Sequence, residues 1–107
     1  MDLVVEVYQL TRQFPKEELY GLTSQLRRAV VSVPANIAEG RSRSTGKDFA
    51  NFLATAKGSL MEVETLLMIS VRLGYTTQEQ AAGSLAHIVE LSKMLTALRA
   101  KLITQTA

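Results

Sequence analysis

Between Leu22 and Gly40 the chain reads LTSQLRRAVVSVPANIAEG, and this segment settles what kind of protein the remainder must build. At 100° per residue, Leu22, Leu26, Ala29, Val30, Val33 and Ile37 fall on one apolar sector, the signature of a helix with a core face. Beside it runs a polar stripe of Gln25, Arg28, Ser32, Asn36 and Glu39, extended by Arg43. The sector opposite the core holds Ser24, Val31, Ala35 and Ala38. A face turned to water would carry Lys, Glu or Gln there, whereas small residues admit a second backbone, so the helix is expected to be covered on two sides. Pro34 lies in its interior, where it removes a donor, clashes with the carbonyl of Val30 and costs about 3 kcal/mol in an ordinary helix. A kink held by neighbours is therefore predicted, with Ser32, Asn36 or another helix supplying hydrogen bonds to the freed carbonyls. The plainer reading is that Pro34 only bends the helix around the core.

Downstream, Gly40 is the natural left-handed stop for a helix over 22–40, and RSRSTG is a short polar, basic loop. Thr45 or Ser44 can cap a third helix over 46–74, with Asp48 complementing its macrodipole. Its core stripe is Phe49, Phe52, Leu53, Ala56, Leu60, Val63, Leu67 and Val71. Leu66, Met68, Ile69 and Leu73 fall off that stripe, so this end needs a second packing surface. Val31, Ala35, Ala38, Leu66, Ile69 and Leu73 are accordingly the candidate oligomer-interface residues. Gly74 and Tyr75 end the third helix, and Thr76 or Thr77, with Glu79 or Gln80 completing a capping box, opens a fourth over 77–104. Ala81, Leu85, Ile88, Leu91, Leu95, Leu98 and Leu102 form its stripe.

Upstream, FPKEELYG is a connector with one turn of helix, Pro15 suiting its first position and Gly21 its exit. Leu3, Val7, Leu10 and Phe14 predict a first helix over 2–13, about 18 Å long against about 40 Å for the later two. One wall of the assembly is thus short, and either a neighbouring subunit covers the gap or the translation start lies upstream. No strand-like alternation occurs and the connections are short. The expected architecture is an antiparallel up-down four-helix bundle, with residues 1–107 as one domain.

The run from Phe14 to Gly40, FPKEELYGLTSQLRRAVVSVPANIAEG, followed by RSRS, then KDFANFLATAKGSLMEVETLL and RLGY, resembles the bacterial four-helix-bundle family of the 23S rRNA intervening-sequence proteins. The similarity extends from about Val7 to about Leu102. It implies an all-helical bundle that assembles as a homo-oligomer, typically a ring-like pentamer, with no catalytic activity known for the family. Related accessory proteins of diversity-generating retroelements share the fold, use a basic surface, and bind nucleic acid and a reverse transcriptase. Members usually carry a longer first helix, with a further segment before the position of Met1 that often contains Trp. This sequence lacks that segment.

Composition narrows the function classes. With 107 residues the chain can bury a core without a staple, and with no Cys it has neither disulfide nor thiolate metal site, which fits a reducing cytoplasm. No secretion signal is read at MDLVVEVYQL, and the most apolar run, LLMISV, is far short of the roughly 20 residues of a membrane span. A di-iron site needs Glu-x-x-His motifs, yet the single His, His87, precedes Glu90 in the reverse order. Gly40 to Lys47 fails as a phosphate loop, since five residues separate its glycines and Asp48 stands where Ser or Thr belongs. No nucleophile motif accompanies His87, so neither a cofactor nor an enzymatic activity is expected.

Charge distribution supplies the remaining functional signal. The formal net charge is +2, but Leu22 to Lys47 carries Arg27, Arg28, Arg41, Arg43 and Lys47 against Glu39 alone, giving +4 and leaving −2 for the rest. Arg41 and Arg43 are expected beside the positive N-terminal end of the third helix, where planar guanidinium groups suit phosphate. These five residues are the candidate RNA- or DNA-binding set. The competing reading pairs Arg28 with Glu39 of a neighbouring helix or subunit and leaves the loop arginines solvated, which would make the protein an interaction scaffold.

Overall fold

The computed structural model of the protein describes residues 2–106. Helix α1 spans Asp2–Thr11, α2 Leu22–Arg41, α3 Gly46–Arg72 and α4 Gln78–Thr106, with a 3-10 turn at Lys16–Glu18 between α1 and α2. No strand occurs among the described residues. The fold is all-helical: α2 packs on α3, α3 on α4, and α1 bridges α2 and α4. Contacts along the α2–α3 seam run in opposite chain order, since Ser32 meets Ser59 while Gly40 meets Phe49 and Phe52. The same holds along α3–α4, where Lys57 reaches Thr96 and Arg99 reaches Ala50.

The expected core stripes meet in one cluster. Leu3, Val7, Leu10 and Phe14 join Leu26, Val30 and Val33 of α2, Leu53, Leu60, Val63 and Leu67 of α3, and Ile88 and Leu95 of α4. Each fully buried Leu, Val or Ile stabilises the fold by about 1.5–3 kcal/mol relative to exposure. With ten residues, α1 is about 15 Å long against about 40 Å for the 27 residues of α3. It meets α4 near Ser84 and His87, about 16 Å short of Leu98 at 1.5 Å per residue. Leu98, expected in the core stripe, is consequently exposed.

Two expectations from sequence are overturned. Leu66 is buried in the core, only 9 % exposed. It follows Val63 and precedes Ser70 on one line of α3, both fully buried, because α3 is flanked by α2 and α4 and so hides a wider sector than a single stripe. Gly40 does not end α2, which continues to Arg41, and the left-handed glycine is Gly74, at φ 79°. Gly40 instead allows close packing: an added Cβ would lie 2.7 Å from Phe52 Cβ and 2.8 Å from Phe49 Cδ1. At Gly74, Tyr75 N–H donates to Ser70 O (2.9 Å) and Gly74 N–H to Val71 O (3.0 Å), a Schellman closure of α3.

The capping expectations narrow to single residues. Thr45 Oγ1 accepts from Asp48 N–H at 3.1 Å, and Thr77 Oγ1 from Gln80 N–H at 3.1 Å, while Thr76 Oγ1 donates to the Gln80 side chain. At the start of α2, Gly21 has no side chain to cap with, and Glu18 Oε1 accepts from Leu22 N–H at 3.1 Å in its place. The first and third helices end earlier than expected, at Thr11 and Arg72, because tight turns follow each. α2 continues unbroken through Pro34.

Candidate nucleic-acid interface

The link from α2 to α3 is four residues long, Ser42 to Thr45, because the bare Gly40 lets the end of one helix sit against the start of the next. Ser42 N–H and Oγ–H both donate to Glu39 O, and Arg43 N–H donates to Gly40 O, so the chain leaves α2 in a tight turn. The side chain of Arg43 pairs with Glu39 and lies over the Phe52 ring, its guanidinium carbon 4.9 Å from the centroid. Arg41 and Lys47 are exposed on either side, and neither forms an ion pair among the described residues. All three cations project near the N-terminal end of α3, whose first N–H groups add partial positive charge.

Arg27 and Arg28 do not join that group. They precede Arg41 by 14 and 13 residues on one helix, about 20 Å at 1.5 Å per residue. Arg27 closes the α1–α2 seam: its Nε–H donates to Thr11 Oγ1 at 2.9 Å, and its guanidinium carbon sits 4.7 Å from the Tyr8 ring centroid. Exposed Arg28 borders a depression of about 340 Å³ with Gln25, Ser32, Ser59 and Glu62. Within the chain Glu39 takes Arg43, so the suggested Arg28–Glu39 pair is not made here. The basic set is therefore dispersed: Arg41, Arg43 and Lys47 surround the α2–α3 link, Arg27 lies on the α1–α2 seam, and Arg28 lies beside α3.

Of the polar stripe, Ser32 hydrogen-bonds across the α2–α3 seam, and Asn36 braces it from within α2. Asn36 Nδ2 donates to Ser32 O (2.8 Å) and Ser32 Oγ (2.9 Å), and the Ser32 and Ser59 hydroxyls share a hydrogen bond at 2.8 Å. Gln25 stays exposed.

The outer apolar sectors are open in the single chain. Val31, Ala35 and Ala38 are exposed on α2, and Met68 and Ile69 of α3, with Leu73 just beyond it, line a groove of about 840 Å³ with Leu85, Ala86 and Val89 of α4. Leu66 is the one interface candidate withdrawn into the core.

His87 lies at the α1–α4 seam, Nδ1 3.2 Å from Glu6 Oε2, while Ser84 Oγ–H donates to Glu6 Oε1 at 3.1 Å. No group of three or more His, Cys, Asp or Glu side chains that could hold a metal ion occurs among the described residues. Among the described residues no helix is long and apolar enough to cross a membrane. A feature missed from sequence is that Arg12 and Lys16, outside the +4 segment, line a depression with Arg27. Their spacing from Arg27 gave no sign of it, because the 3-10 turn folds them back.

Together the packing and the surfaces define a small helical-bundle protein with exposed cations around its α2–α3 link. Residues 1–97 match the family model described as 23S rRNA-intervening sequence protein, and the chain belongs to that family. No curated protein matches it significantly.

Proposed function

We propose that this protein is a non-enzymatic, cytoplasmic nucleoprotein accessory that binds RNA or DNA backbone through the basic loop, several copies acting together as a homo-oligomer. The observation that carries the reading is the loop: Arg41 and Lys47 are exposed without ion-pair partners among the described residues, beside Arg43 and the α3 N-terminus. Such an arrangement reads phosphate rather than base sequence. Membership of a family named for rRNA insertions fits a nucleoprotein role. The open faces at Val31, Ala35 and Ala38 and at Met68, Ile69 and Leu73 are surfaces a second copy would cover. A ring, typically of five, is what the family resemblance implies. Repeating a weak patch by symmetry raises avidity without new contacts. A reverse transcriptase is the protein partner that the same resemblance suggests.

The test is binding to structured RNA and duplex DNA across a salt series, with an Arg41→Ala/Arg43→Ala variant alongside. Affinity that falls steeply with salt, with both affinity and slope reduced in the variant, supports the reading. No binding at low salt overturns it in favour of a protein-interaction scaffold, for which the 840 Å³ groove is the supporting feature. Light scattering that finds a stable monomer removes the oligomer.

A further inference from the structure

At the other end of α2, Tyr20 is 93 % exposed, the most exposed large side chain of the chain's apolar and aromatic residues described. It does not hang on a loose loop. Glu18 accepts hydrogen bonds from Leu22 N–H and from the Tyr75 hydroxyl, Gly21 N–H donates to Glu18 O at 3.0 Å, and the Phe14 ring packs on Tyr75 with centroids 5.6 Å apart. The backbone on both sides of Tyr20 is thus fixed before any partner arrives, which lowers the ordering cost of using its ring.

Next to it, Leu19 borders a depression of about 160 Å³ together with Arg12, Lys16 and Arg27. None of these three cations forms an ion pair among the described residues. Arg27 donates Nε–H to Thr11 and stacks on the Tyr8 ring, so among the described residues its terminal nitrogens make no ion pair. Glu17 is the opposing free charge, and from Arg12 to Arg28 four basic residues stand against two acids, one of them Glu18, already bonded twice. The exposed ring thus follows directly on Leu19, which shares a depression with three cations free of ion pairs. An aromatic platform for a base and positive charge for its phosphates are what single-stranded nucleic acid needs. A duplex keeps its bases stacked inside and offers Tyr20 no free face.

We infer that the α1–α2 corner is a second nucleic-acid contact, selective for unpaired nucleotides, with a base stacked on Tyr20 and flanking phosphates at Arg12, Lys16 and Arg27. The inference rests on the nucleic-acid reading above but uses different residues, so the two can fail separately.

The experiment compares a labelled oligothymidine strand with a duplex of equal length, for the wild-type chain and the variants Tyr20→Ala, Tyr20→Phe, Arg12→Ala/Lys16→Ala and Arg41→Ala/Arg43→Ala. Tyr20→Ala is expected to weaken single-strand binding about 5- to 100-fold and to leave duplex binding unchanged, while Tyr20→Phe retains it. Arg12→Ala/Lys16→Ala should reduce the single-strand salt slope by about 1.4, roughly 0.7 per phosphate contact. The chain has three Tyr and no Trp, so quenching of tyrosine emission by the strand, lost in Tyr20→Ala, reports stacking directly. If Tyr20→Ala changes nothing, or weakens strand and duplex equally, the corner is not a stacking site even if Arg41→Ala/Arg43→Ala weakens both. If the wild-type chain binds neither probe, this inference and the nucleic-acid reading fall together.

Discussion

The hydroxyl of Tyr75, just beyond α3, donates to Glu18 Oε2 at 2.9 Å, while Glu18 Oε1 accepts from Leu22 N–H. One carboxylate thus ties the 3-10 turn, the start of α2 and the α3–α4 connection. The backbone hydrogen bond from Leu22, then that from Tyr75, holds the Glu18 pKa below its ordinary 4.5, and the bond to Glu18 raises that of Tyr75 above 10.0.

The sign of the pH dependence follows. Glu18 has a depressed folded pKa, so its contribution to stability is full above pH 4.5 and is lost as pH falls through the folded value. Tyr75 has a raised one, so its contribution is full below pH 10.0 and is lost as pH rises through the folded value. Thermal midpoints across pH should show Glu18→Gln with a shallower acid decline than wild type and Tyr75→Phe with a shallower alkaline one. Parallel curves would mean the pair contributes nothing.

Gly40→Ala is expected to destabilise the protein by about 1–3 kcal/mol, because its Cβ would press on Phe49 and Phe52. Gly83→Ala, in α4 with nothing within 4 Å of the added Cβ, should stabilise by about 0.5–1 kcal/mol. A denaturant midpoint that does not fall in Gly40→Ala would refute the packing role of Gly40.

Leu66→Ala should cost about 2–5 kcal/mol, as a core truncation. Ile69→Glu, at an exposed position, should leave the folded chain's stability within about 0.5 kcal/mol and act on association instead. Light scattering paired with denaturation separates the two; an oligomer indifferent to Ile69→Glu removes that face from the interface.

Glu39→Gln should raise nucleic-acid affinity by up to about fivefold, since it releases Arg43 from its one ion-pair partner and deletes the only acid of the +4 segment. Titrations at matched salt that show weaker binding would mean Glu39 is needed to aim Arg43 rather than to mask it.

How much of this was legible beforehand depends on the range of each interaction. Four helices, their order, the short first one, each cap to within two neighbouring residues and the core stripe from Leu3 to Phe14 could be read from sequence. Helical periodicity and capping are set by residues three or four apart, and that spacing is present in the chain itself. Whether a glycine is a stop or a contact was not legible: Gly74 and Gly40 both come at the end of an apolar helical pattern, and the approach of Phe49 and Phe52 to Gly40 distinguishes them. The candidate site divides in the same way. The cations of the loop are neighbours in sequence, so their grouping was visible. Arg12, Lys16 and Arg27 are brought together by the 3-10 turn and the docking of α1.

The amino-acid order by itself determined the helices, the apolar face each one turns inward, and the basic bias between Leu22 and Lys47. Tertiary structure alone decided that Leu66 is core, that Gly40 is a contact with Phe49 and Phe52 rather than a stop, and that Arg12 and Lys16 join Arg27 in one depression. Periodicity states which sectors of a helix are apolar; which of those sectors is covered depends on the lengths and contacts of the neighbouring helices, and these are fixed only when the whole chain packs.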